Sequence, residues 1–251
     1  MIKSIDPKQP SSWRGKVFLT LDIDWAHDEV IAHAADLLEA ADVPATWFVT
    51  HDTPQLVRLR ENPRFELGIH PNFNWLLQGD DRLGRTARDV VEKLLRLVPE
   101  AVSVRSHSMT QSTGLLQLFA DLGLTHDVNQ FVPASVAGGL QPWTLWNGMT
   151  RVPYFWEDDV FCAYRERGDA ELSALEALAL NGVKVFDFHP IHLYLNTEHM
   201  ERYECTRGVH NLPKQLVKHQ FTGEGAATWL SQVVAALKRQ EAGVSCGEQQ
   251  S

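Results

Sequence analysis

Short apolar runs alternate with longer stretches whose apolar residues recur every three or four positions. Residues 17–23, VFLTLDI, make a run rich in β-formers and read as a buried strand. A helix opening at Asp28 or Glu29 follows, with Val30, Ala34, Leu37, Leu38 and Ala41 on one face. Pro44 stops it, and residues 45–50, ATWFVT, read as a second strand. The pattern then repeats: a polar helix around 55–60, a strand ending at Ile69, a helix with Val90, Leu94 and Val98 on one face, and a short strand at 102–104. A helix over 112–122, closed by Gly123, and a strand over 124–128 come next. Residues 129–165 break the rhythm with Pro133, Gly138-Gly139, Pro142 and the aromatics Trp143, Trp146, Tyr154, Phe155 and Trp156. Loops of this length are uncommon unless functional. The rhythm resumes with a helix over 170–180 capped by Gly182 and a strand over 183–188. A last helix over 226–238 carries Trp229, Leu230, Val233, Val234 and Leu237 on one side.

Strand and helix in regular succession specify an α/β protein with a parallel sheet. Asp22 and Asp24, His70, Arg105 and His189 each follow the end of a predicted strand. Polar groups gathered at the C-terminal ends of several strands favour a (β/α) barrel over an open sheet, which concentrates them at one switch point. No Gly-rich phosphate loop follows the first strand. The expectation is one domain over 1–251, a distorted barrel of about seven strands, with 1–16 as a polar lead-in and 243–251 as a disordered tail.

Composition narrows the partners. Lys and Arg number 23 against 32 Asp and Glu, a formal charge of −9, which disfavours nucleic acid. The three cysteines, Cys162, Cys205 and Cys246, are far apart and form no CxxC pair, so neither a disulfide framework nor a thiolate metal site is indicated. No apolar stretch approaches the ~18 residues of a membrane span. The N-terminal residues lack an apolar signal region, so a cytoplasmic location is expected. Nothing in the pattern specifies an oligomeric state.

The candidate chemistry lies in four segments. In LTLDIDW, Asp22 and Asp24 are two apart, and two carboxylates sharing a face call for a cation or a proton between them. In ELGIHPNFN, His70 directly follows a strand, where a neutral imidazole can bind zinc, and Asn74 offers an amide oxygen. In VRSHSM, Arg105 emerges at a strand end, where a guanidinium would lower a carboxylate's pKa and fix its rotamer. In VFDFHPIHLYLN, Asp187, His189 and His192 follow a strong strand, and the two histidines are candidate ligands or proton donors.

These motifs, in this order, resemble those of the polysaccharide deacetylase superfamily, the NodB-homology enzymes of carbohydrate esterase family four. The similarity runs from about Phe18 to about Asn196 and includes GLLQLFADLGLTHDVN after the Arg motif. The HPIHLYLN ending is similar to the WbmS-like subgroup. The resemblance implies a NodB-like distorted barrel and a divalent metal, zinc above all. It implies Asp22 as general base, Asp24 and His70 as metal ligands, Arg105 as the residue holding the base, and His189 as proton donor to the departing amine. The family places a second histidine ligand where Asn74 stands. It places two prolines and an aromatic residue after the arginine, where Ser106, His107 and Ser108 stand. The expected metal set is therefore Asp24, His70 and Asn74, with His107 as the alternative third ligand.

The implied activity is hydrolysis of an N-acetyl or similar small acyl group on an amino sugar of a bacterial surface polysaccharide or its precursor. The 143–156 aromatics, Trp156 in particular, would offer a platform to sugar faces. Glu157, Asp158 and Asp159 would bind hydroxyls, and His192 would contact substrate. Two other readings use the same residues. One is a deacetylase-like sugar-binding protein without activity. The other is a D-x-D phosphatase, which needs a late acidic pair for magnesium where this chain has FHPIH.

Overall fold

The structure is a computed structural model and describes residues 1–133, 138–168 and 172–243. In chain order the principal elements are β1 (Val17–Asp22), α1 (Asp28–Ala41), β2 (Ala45–Val49), α2 (Gln55–Glu61), β3 (Phe65–Ile69), α3 (Asn74–Leu77), α4 (Ala87–Leu97), β4 (Ser103–Val104), α5 (Thr113–Asp121) and β5 (His126–Asp127). There follow β6 (Trp143–Thr144), β7 (Thr150–Arg151), β8 (Trp156–Glu157), α6 (Asp158–Arg167), α7 (Ala174–Leu178), β9 (Lys184–Phe188), α8 (Pro190–Leu195), α9 (Met200–Thr206), α10 (Pro213–Leu216) and α11 (Ala226–Glu241).

One nine-stranded sheet runs in the order β6-β7-β5-β4-β3-β2-β1-β9-β8, and every pairing is parallel except β6 with β7. The sheet curls into a half-barrel. Arg105, just beyond β4, lies 3.0 Å from Asp22 at the end of β1, although β3 and β2 stand between those strands. Strands about 4.8 Å apart would put them some 14 Å from each other in a flat sheet, so the contact requires the curl.

Each long strand is buried on both faces, so its few polar residues are as enclosed as its apolar ones. Alternate residues nonetheless do different work. Leu19 and Leu21 of β1, Ala45, Trp47 and Val49 of β2 and Phe186 and Phe188 of β9 point outward into the main core under the helices. There α11 covers β1 and β9 and packs on α7 and α8, while α1 packs on α8 and α2. The inward set changes character along each strand. Phe18, Phe48, Val183 and Val185 join a second apolar cluster with Ile2, Ile5 and Trp13. Further along, the inward positions are Thr20 and Asp22, Thr50, Asp187 and His189, all buried. Parity thus carries β1 and β9 from an apolar interior to a polar rim.

Nine strands replace the expected seven or so. The additional β6, β7 and β8 are two-residue ladders inside the 129–165 stretch, too short to leave a periodic signal. The lead-in 1–16 is not merely polar, because Ile2, Ile5 and Trp13 are at most 2% exposed and help fill the half-barrel. The helix expected over 170–180 is α7. Its expected start, and the tail after Gly243, lie outside the described residues. Among the described residues no helix is long and apolar enough to cross a membrane.

Gly68 in β3 shows how tightly the curl is packed. A Cβ there would come within 2.8 Å of the Ser103 carbonyl oxygen and 2.9 Å of the Phe48 ring. Gly68→Ala is therefore expected to lower unfolding free energy by about 1–3 kcal/mol, read from denaturant melts.

Candidate active site

The parallel strands deliver their C-terminal ends to one rim, and the polar residues follow there. Asp22 ends β1, and Asp24 lies two residues on, in a turn where Asp24 and Trp25 both adopt positive φ, 35° and 54°. His70 directly follows β3, its N–H bonded to the Val49 carbonyl of β2 (2.8 Å). Arg105 directly follows β4, its N–H bonded to the Ile69 carbonyl (3.1 Å). His107 opens a 3-10 turn, His107–Met109, in which Ser108 and Met109 also have positive φ. Its N–H is bonded to the Pro71 carbonyl (3.0 Å). Three of these left-handed non-glycine residues, Asp24, Ser108 and Met109, line one cavity, with backbone strain of the kind found at functional sites.

Asp24, His70 and His107 form a nearly equilateral triangle of donor atoms. Asp24 Oδ1 lies 3.3 Å from His70 Nε2 and 3.4 Å from His107 Nδ1, and the two imidazole nitrogens are 3.3 Å apart. Donors about 2.0–2.1 Å from a tetrahedral zinc are separated by roughly 3.3–3.5 Å, so the three fit such an ion as they stand. Asp24 Oδ1 is buried without a hydrogen-bond partner, which is what a carboxylate oxygen awaiting a cation looks like. Burial works against ionised Asp24, but His107 and His70 more than reverse this and hold it well below the usual carboxylate range.

Asp22 flanks the triangle, with Oδ2 3.4 Å from His70 Nδ1. Its other oxygen lies 3.0 Å from Arg105 Nη1, and the same Nη1 binds Asp187 Oδ1. Arg105 Nη2 donates to Thr20 Oγ1 (3.0 Å) and Nε to the Val128 carbonyl (3.3 Å). Its guanidinium is sandwiched between Phe48 and Tyr154, 4.7 and 4.4 Å from the ring centres. Burial pushes the Asp22 carboxyl up to about 6, with Arg105 opposing the rise and Asp187 adding to it.

His189 stands on the other side. Its Nδ1 lies 2.8 Å from Asp158 Oδ1, and its backbone N–H donates to Asp158 Oδ2 (2.9 Å). Its Nε2 faces the cavity, 3.8 Å from Asp24 Oδ2 and 3.9 Å from Glu157 Oε1. Burial lowers the imidazolium's pKa, but Asp158, then Asp159 and Asp24, outweigh it and hold His189 well above its ordinary value.

The structure thus brings together Asp22, Asp24, His70, Arg105 and His189. Four expected positions differ. Asn74 is turned to the loop after β4, donating to Ser108 Oγ (3.1 Å) and facing Thr110 Oγ1 (3.5 Å), so His107 occupies the third corner. Trp156 is 1% exposed and packs among Phe161, Phe186, Phe188 and Trp229 in the outer core, with no face for a sugar. Asp158 is fully buried behind His189 and orients it, out of a substrate's reach. His192 is also behind His189, bonded to Thr197 Oγ1 (3.1 Å), and burial together with the His189 charge lowers it to about 3. The sequence reading missed the pairing of Asp187 with Arg105. The signal was available, since Asp187 and His189 are two apart at a strand end and so share the inner face.

The sequence model of the WbmS-like family, described as polysaccharide deacetylase, matches residues 19–207. The chain belongs to this family. WbmS-like chains are also represented by a crystal structure from Bordetella bronchiseptica, a candidate polysaccharide deacetylase involved in O-antigen biosynthesis. It shares 47% identity with this chain over 94% of it and 96% of the relative, with a TM-score of 0.86. Weaker likenesses include a candidate polysaccharide deacetylase from Mycobacterium smegmatis (17% identity, 90% of each chain, TM-score 0.47). A family 4 carbohydrate esterase from Streptomyces lividans in complex with acetate shows 14% identity over 89% of this chain and 90% of that one, with a TM-score of 0.45. Among curated proteins none matches.

The triangle predicts which side chains hold a cation. His107→Ala should weaken zinc binding by more than the roughly 10–100-fold typical of losing an outer-sphere partner, whereas Asn74→Ala should stay within that range. Competition with a chelating dye measures both, and the reverse order would restore Asn74 as the ligand.

Proposed function

We propose that this WbmS-like protein is a metal-dependent amide hydrolase that removes an N-acetyl or similar small acyl group from an amino sugar of a bacterial surface polysaccharide or its precursor. The observation that carries this reading is the Asp24–His70–His107 triangle with Asp22 on one flank and the His189 Nε2 on the other. A binding protein needs neither a base nor an acid beside its ligand. The involvement of the Bordetella relative in O-antigen biosynthesis supports a surface-polysaccharide substrate.

Asp24, His70 and His107 would hold a divalent cation, and their nitrogen and carboxylate donors suit zinc. When bound, such a cation polarises the acyl carbonyl and makes water a stronger acid. Asp22 accepts the attacking water's proton on Oδ2, since Arg105 occupies Oδ1 and fixes the carboxylate's orientation. The Asp158 carboxylate holds His189 through Nδ1, leaving Nε2 to protonate the departing amine. Asp187 shares Arg105 with the base and keeps the guanidinium compensated whichever form Asp22 takes.

Acetate release from N-acetylated amino sugars by the zinc-loaded protein tests the assignment. Asp22→Asn and His189→Gln should each lower kcat/KM by about 10²–10⁴ while bound zinc, measured by elemental analysis, stays unchanged. Zinc binding with no release from any acylated amino sugar, or full turnover in Asp22→Asn, would overturn it.

A further inference from the structure

Two cavities meet at His70. The catalytic cavity, about 150 Å³, is walled by polar groups including Asp22, Arg105, Glu157 and His189. The second, about 340 Å³, lies between the strand ends and α4, and Trp25, Leu83, Val90, Leu94 and Leu97 wall it. Thr50, His51 and Asn72 also face it, beside His70, but most of its wall surface is apolar, the common form of a small-molecule pocket at this size. Asp52 and Lys93, both exposed, mark its open end.

Trp25 joins this pocket to the cation site. It directly follows Asp24, and its indole meets the His107 ring edge-on, with centroids 5.0 Å apart. Its left-handed backbone (φ 54°) is held by a hydrogen bond from its N–H to Thr50 Oγ1 (3.1 Å). Trp25 remains 39% exposed. One residue therefore touches one ligand, neighbours another and forms part of the apolar wall.

An amide at the cation site has an amine half and an acyl half. Under the function proposed above, the amine half must lie where His189 can protonate it, in the polar cavity. The acyl half then points away from His189, and the space beyond His70 is apolar and far larger than one methyl group needs. The geometry points to this second cavity as the acyl subsite, and to substrates whose N-acyl chain is longer than acetyl. This inference rests on the hydrolase reading and adds the acyl class to it.

Alkyl hydroxamic acids combine a zinc-binding head with a tail of chosen length and need no knowledge of the sugar. Calorimetric titration of the zinc-loaded protein with the acetyl, butanoyl and hexanoyl members should show affinity rising about three- to fourfold per methylene. Leu83→Trp, at a half-buried loop position, should flatten that rise while leaving acetohydroxamate within about twofold, because only the methylene contribution is lost. Leu97→Phe serves if Leu83→Trp does not fold. Binding that ignores tail length, or a rise that survives both fillings, overturns the acyl subsite and leaves the hydrolase reading standing. If acetohydroxamate itself fails to bind, the hydrolase reading falls and the subsite falls with it.

Discussion

Arg105 carries its charge 1% exposed, and a buried cation is tolerated only where carboxylates and acceptors surround it. Here Asp22 and Asp187 supply the opposite charge, Thr20 and Val128 supply acceptor oxygens, and two aromatic rings face the guanidinium plane. These partners come from β1, β2 and β9 and from the segments after β5 and β7. Losing one side of such a pair typically costs about 3–5 kcal/mol, because the remaining charge is left uncompensated. The curl of the sheet, the rotamer of Asp22 and the position of the rim therefore depend on one another.

From that anchor the rest of the cavity follows by neighbour contacts. Asp22 sets the face of His70, His70 and His107 close on Asp24, and Asp24 with Glu157 and Asp158 surrounds His189. Negative and positive groups alternate around the site, and this is why burial shifts so many of them while leaving the set compensated. The strained turns at Asp24–Trp25 and Ser108–Met109 sit where the chain must bend sharply to turn Asp24 and His107 toward His70. Asp22, His70 and Arg105, by contrast, stand at or next to rigid strand ends.

Legibility in the sequence tracked the kind of signal each region carries. The long strands were readable because both faces are buried, so apolar β-formers dominate them. Asp22, His70, Arg105 and His189 were readable because a polar residue at the end of such a run is conspicuous. His107 was weighed only as an alternative, since it sits in an irregular turn whose direction depends on left-handed backbone at Ser108. Trp156 misled because an aromatic in a proline- and glycine-rich stretch reads the same whether it faces a ligand or the core. Its two-residue ladder to β9 decides the matter, and two residues have no periodicity to read. Ile2, Ile5 and Trp13 were hidden for a related reason, since isolated apolar residues outside any element reveal their burial only in three dimensions.

The central position of β1 has a consequence for how the molecule comes into being. Its neighbours are β2, close in sequence, and β9, whose Asp187 is 167 residues from its Thr20 partner. A growing polypeptide can pair β1 with β2 early, yet the opposite edge of β1 must wait until more than two-thirds of the chain has been made. Closing so long a loop is slow and leaves that strand edge unpaired meanwhile. Asp22 thus emerges long before β9 and the His189 that follows it, and the site can form only when these distant segments finally meet.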